Sequence, residues 1–156
     1  MAQRNFTHNS NYFFGSTLFG EDTSYAIQEV NLPGLSINSV DISRRGIMGH
    51  MSGDTLTYND LSISLIMDEK LLIWKELVEA LQDKVDPKKA QGDISNNSQK
   101  MAWMIIQDDN AKEILKLNFY GVSLGGIEDM QYSSNTEDEI ITCPIVVKYD
   151  YFTVGD

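Results

Sequence analysis

The chain has 156 residues, of which 42% are hydrophobic and 10% aromatic. That suits a single domain spanning 1–156 with a real core and excludes a disordered polymer. Twelve Lys and Arg against 23 Asp and Glu give a formal net charge of −11, so tight nucleic-acid binding through basic contacts is not expected, although passage of nucleic acid along the surface is compatible with it.

The opening MAQRNFTHNSNYFFGS carries Arg4 as its sole cation and no continuous apolar run, so it is not expected to be a secretory signal. Residues 1–20 read as a polar arm with aromatic anchors, Phe6, Tyr12, Phe13 and Phe14. YAIQEV, 25–30, is a first strand, ended by the turn pair Pro33 and Gly34. In LSINSVDIS, 35–43, Leu35 and Ile37 share a face, and the apolar phase then jumps to Val40 and Ile42. Such a jump signals a bulge or a strand changing sheets. RRGIMGHMSGD, 44–54, is too apolar for a solvated loop and too glycine-rich for a core strand, and it reads as a hairpin tip.

TLTYNDLSISLIM, 55–67, alternates in its second half, with Leu61, Ile63, Leu65 and Met67 on one face. Ile66 falls on the other face, so the far end of that strand is expected to be covered as well. Asp68 stands where a helix N-cap belongs. A helix over 69–84 then carries Leu71, Trp74, Leu77, Val78 and Leu81 as an apolar stripe, read as core packing against a sheet. Residues 85–99 hold Pro87 and Gly92 and read as an exposed loop.

MAWMIIQ, 101–107, and EILKLNFYGVSL, 113–124, are strands around a short DDNA turn. A polar connection covers 125–139. The last strand, 140–152, places Ile141, Cys143, Ile145, Val147, Tyr149 and Tyr151 on one face, with Pro144 opposite, where a proline is easiest at an edge or bulge. The sum is an α+β, mainly β chain: antiparallel strands in a sandwich or barrel, one helix inserted mid-chain and no internal repeat.

Little of this points to chemistry. His8 and His50 have no cysteine or carboxylate at metal-ligand spacing, so no metal is expected. Cys143 is the only cysteine and cannot close an internal disulfide. In an apolar alternating run it reads as a small buried hydrophobe, since a reactive thiol needs an electropositive, partly exposed setting. GVSLGG, 121–126, lacks the Gly-x-Ser-x-Gly spacing of a nucleophile elbow and has no helix after it. Glu137, Asp138 and Glu139 lack the spacing of a calcium loop and read as a solvated acidic stretch. No enzymatic activity and no cofactor are expected.

The hairpin tip is the more informative segment. Ile47, Met48 and Met51 beside Arg44, Arg45 and His50 fit either a subunit interface, where Met and Arg are favoured, or a loop packed on its own domain. An exposed apolar hairpin adds strand edges that must be covered by pairing, which makes self-assembly the economical choice for an acidic chain without evident chemistry.

The order LPG, then a glycine-bearing hairpin, then GDTLTYNDLSISLIMDE leading into a helix with a central Trp, resembles the T4-type contractile-tail tube proteins of myoviruses. More distantly it resembles the tube proteins of type VI secretion and other contractile injection systems. The closing NTEDEIITCPIVVKYDYF looks like the terminal strand of that family, whereas HNSNYFFGSTLFG departs from its start. The resemblance implies two packed antiparallel sheets with one flanking α-helix and a long β-hairpin. It implies hexameric rings stacked into a tube through the hairpin, with sheath and baseplate proteins as partners and DNA passing through the lumen without specific binding. It further implies a virion tail component assembled in the host cytoplasm, as the repeating subunit or as a ring that starts or ends the tube. The different class kept beside it is a small-molecule-binding or enzymatic β-barrel, which needs a pocket with convergent polar groups.

Overall fold

The structure, a computed structural model, describes residues 10–86, 91–92, 100–134 and 139–155. In chain order these are β1 (Tyr12–Ser16), α1 (Glu21–Tyr25), β2 (Ile27–Val30), β3 (Leu35–Arg44), β4 (Ile47–Tyr58), β5 (Leu61–Ile66) and α2 (Leu72–Lys84). There follow β6 (Val85–Asp86), β7 (Gln91–Gly92), β8 (Met101–Gln107), β9 (Glu113–Tyr120), β10 (Ser123–Ile127), β11 (Thr142–Lys148) and β12 (Tyr151–Gly155). One antiparallel sheet runs β1-β8-β9-β12 and a second runs β10-β11-β5-β2, while β3-β4 and β6-β7 are separate two-stranded ribbons.

Alternation builds the core. Register pairs Leu61 with Val147, Ile63 with Ile145 and Leu65 with Cys143, so one apolar face of β5 continues onto β11. All six side chains are buried, while Ser62 and Ser64 lie on the outer face. Phe14, Met104, Leu117 and Phe119 close the core from the other sheet, and Leu77 closes it from α2. Ile66 is half-buried and its N–H donates to the Ala26 carbonyl at 2.8 Å, so the far end of β5 is covered. The phase jump in β3 is a bulge: pairing passes from Ile37–Leu56 to Ser39–Ser52.

The chain crosses between the two sheets twice at one corner. EILKLNFYGVSL is not one strand: Gly121, at φ +66°, turns β9 out of the first sheet and into β10 of the second. A Cβ there would meet the Asp150 carboxylate, and the left-handed backbone independently favours glycine. The last strand likewise splits, β11 returning to the first sheet as β12 through Tyr149 and Asp150, and the Asp150 N–H donates to the Tyr120 carbonyl at 2.9 Å. Gly125–Ile127, expected in a polar connection, belong to β10.

Pro144 stands in β11, between β10 and β5, rather than on an edge strand. Its carbonyl accepts from Glu128 N–H at 2.9 Å, just past the end of β10. An extended residue directs its N and C=O to the same side, so the missing N–H falls where β10 has already ended and the β5 ladder stays whole.

Three further boundaries differ. Tyr12–Ser16 are a strand of the first sheet, not an arm, because Phe14 is buried and Gly15 lies under the Trp103 ring. Tyr25 ends a helical turn instead of starting a strand. The helix begins at Leu72 rather than residue 69: Leu71 takes φ +52°, and the Asp68 carboxylate reaches over it to accept from the Leu72 and Ile73 N–H groups at 3.0 and 3.2 Å. Those two bonds hold the Asp68 carboxyl below its ordinary value, the Leu72 bond first. Residues 1–9, including Phe6 and His8, most of the 85–99 loop, and Glu137 and Asp138 lie outside the described residues.

Candidate assembly interface

The segment 44–54 is the turn end of the β3–β4 hairpin, where Arg44 closes β3 and Ile47 opens β4. Arg45 and Gly46, at φ +49° and +80°, make a two-residue turn of the primed type, whose twist matches the flanking strands. The strands β3 and β4 pair with each other and with neither four-stranded sheet. Their base is held by Tyr58, which packs edge-on against Phe152 at 5.4 Å and Tyr149 at 6.1 Å. The Asn59 N–H donates to the Gly34 carbonyl at 3.1 Å beside it.

Beyond that base the ribbon stands bare. Ile47 is 74% exposed, Met48 66% and Met51 58%, and Leu35, Ile37, Val40 and Leu56 are exposed as well. A hairpin alone is marginal in water, and a grouped exposed apolar surface is the usual character of an interaction site. Sequence reasoning placed the apolar character at 47–51; the structure extends it along both strands to Leu35 and Leu56.

Register divides the expected interface residues between two faces. Arg44 pairs with Ile47 and Val40 with Met51 on one face, while Ser43 pairs with Met48 and Asp41 with His50 on the other. The His50 Nδ1 lies 2.5 Å from Asp41 Oδ1 on that second face.

The helical stripe divides too. Ile73, Leu77 and Leu81, four residues apart, point inward, and Leu77 is 1% exposed. Leu71 also packs on the core, whereas Trp74, 37% exposed, is turned about 100° from Ile73 and does not. Instead Trp74 and Val78, with Leu71, line an open groove of about 410 Å³ against Ile127, Met130 and Tyr132. Ile73, which completes the inward line, was not singled out from the sequence; its spacing of four from Leu77 and eight from Leu81 is the signal that places it there.

Catalytic geometry is thin. Cys143 is fully buried, and burial first, then the Glu128 charge, pushes its thiol upward, away from a thiolate. Among the described residues no three or more His, Cys, Asp or Glu gather as a metal site, and no helix is long and apolar enough to cross a membrane.

No protein-family model and no curated protein sequence matches the chain. Solved structures do. A chain of the anti-feeding prophage baseplate, 6-fold symmetrised, superposes with TM-score 0.69 at 6% identity, covering 99% of this chain and 97% of that one. A chain of an extracellular contractile injection system, from its sheath/tube terminator in the extended state, gives 0.66 at 10% identity, covering 99% and 100%. Hcp1 from Flavobacterium johnsoniae gives 0.53 at 12% identity, covering 92% and 94%. The architecture is therefore the fold found in contractile injection systems, mainly β with antiparallel sheets and few helices. Hcp1 from Flavobacterium johnsoniae shares this fold.

Proposed function

We propose that this protein is a non-enzymatic structural subunit of the tube of a contractile injection device, forming hexameric rings that stack end to end. The observation that carries this is the β3–β4 ribbon, which exposes apolar residues on strands that, among the described residues, pair with neither four-stranded sheet. Six-fold order is supported by the fold it shares with a chain of the 6-fold symmetrised baseplate. Sheath and baseplate proteins are the partners this reading requires, in keeping with the assemblies from which the similar chains come. In its finer form the device is a myovirus tail, assembled in the host cytoplasm and carried on the virion, and the tube is a conduit for DNA; the net charge of −11 supports a lumen to which DNA does not adhere.

Deleting residues 46–53 tests the reading. The variant is expected to unfold cooperatively, as the intact protein does, and to form no tubes under the electron microscope. Unchanged tube assembly overturns the role of the ribbon. A second reading, a ring that starts or ends the tube, is favoured by the fold shared over full length with a chain of the terminator structure. The same micrographs separate the two: a repeating subunit grows long tubes, and an end ring stops at one or a few layers.

A further inference from the structure

We propose that the groove between α2 and the β10–β11 connection receives the β3–β4 hairpin tip of a second copy of this chain. The inference rests on the tube reading and adds to it the acceptor surface.

Donor and acceptor match in chemistry. The groove offers Trp74, Met130 and Tyr132 as apolar walls, with Glu128 and Asp129 among its lining residues. The tip offers exposed Ile47 and Met48 flanked by Arg44 and Arg45, two of the three arginines in a chain of net charge −11. An aromatic wall beside carboxylates suits arginine in particular, which stacks on ring faces while its fork bonds a carboxylate. Both patches are apolar surfaces with a charged component of opposite sign, the pattern that fixes the register of a contact.

The two are separate patches of one chain. The twelve residues of β4, at roughly 3.3 Å each, carry the ribbon about 40 Å. The ribbon pairs with neither four-stranded sheet, and none of its residues lines the groove. A reciprocal exchange of tips in a closed pair would give covalent dimers and no longer multimers, whereas the contact proposed is head-to-tail and propagates from copy to copy. Propagation of that kind is what a stack of rings needs.

The test is a cross-link and a charge exchange on the full chain. With Met48→Cys and Tyr132→Cys in the same chain, mild oxidation of assembled protein is expected to give a ladder of covalent multimers, with buried Cys143 taking no part. Either substitution alone is expected to give no ladder. Reversing Glu128 and Asp129 to Arg, or Arg44 and Arg45 to Glu, is expected to abolish stacking while the thermal transition stays cooperative, and combining the two pairs is expected to restore it. Tubes that form without the ladder and tolerate the groove reversal overturn the acceptor site and leave the tube reading standing. Intact protein that forms no ring or tube, even when offered preformed tube ends, overturns the tube reading and the acceptor with it.

Discussion

One phenol ties the hairpin base to both sheets. The Tyr149 hydroxyl donates to the Asn59 carbonyl at 2.6 Å, and its ring meets Phe119 edge-on at 5.0 Å as well as Tyr58. Burial first, then the charge of Asp60 and the neighbouring Tyr58, push its pKa from 10.0 up to about 12. In the unfolded chain the phenol ionises near 10, while in the fold it keeps its proton until about 12. The stability this contributes is thus fully present below pH 10 and lost as pH rises through that window. Denaturant titrations across the window should show unfolding free energy falling with pH, and Tyr149→Phe should flatten the fall. A variant that keeps the whole slope assigns it elsewhere. Leu77 makes the contrasting case of a purely apolar contribution: at 1% exposure, Leu77→Ala should cost about 2–5 kcal/mol in denaturant unfolding. A loss below roughly 1 kcal/mol would mean that the α2 contact is loose, on the scale of surface changes. Trp74, one helical step round from the inward line, should matter to assembly more than to the fold of the subunit.

At the scale of elements, the sequence is legible where one period runs uninterrupted. Strand β5 shows its buried face directly, Leu77 and Leu81 show part of the inward line of α2, and the β3 bulge announces itself as a phase jump between Ile37 and Val40. One of the two crossings does leave a trace: side chains at 117, 119, 122 and 124 are all buried, a phase jump at Gly121 with the same spacing as the one in β3, which reading 113–124 as one strand overlooks. The other is not legible, because 143–147 and Tyr151 share an alternating pattern but lie in different sheets. Strand β1 was hidden for another reason: its Asn, Ser and Gly neighbours are turn formers, and pairing with β8 overrides their propensity. Gly15 is required there because the Trp103 ring lies 2.5 Å from where its Cβ would stand, a contact between residues far apart in sequence. Of the candidate interface, the tip was legible from Met, Arg and Gly crowded together. The groove was not, since it forms only when the β10–β11 connection is laid beside α2.

At the scale of the whole molecule, charge decides what the assembled tube can hold. Arginine, the residue best suited to grip phosphate, is almost confined to the hairpin tip, which stacking covers in the proposed assembly. The remaining cations are Arg4 and nine lysines among 23 Asp and Glu, so the summed field of the proposed six-fold ring is negative. Double-stranded DNA should therefore migrate unretarded in a gel with excess tubes, even at about 0.01 M salt, where the Debye length is roughly 30 Å and attraction to any basic stripe is strongest. Retarded DNA whose affinity falls as salt rises would mean phosphate contacts on an accessible surface and would overturn the non-adhering lumen. Such a result would leave the subunit fold untouched, because the net charge governs association and not the pairing of β5 with β11.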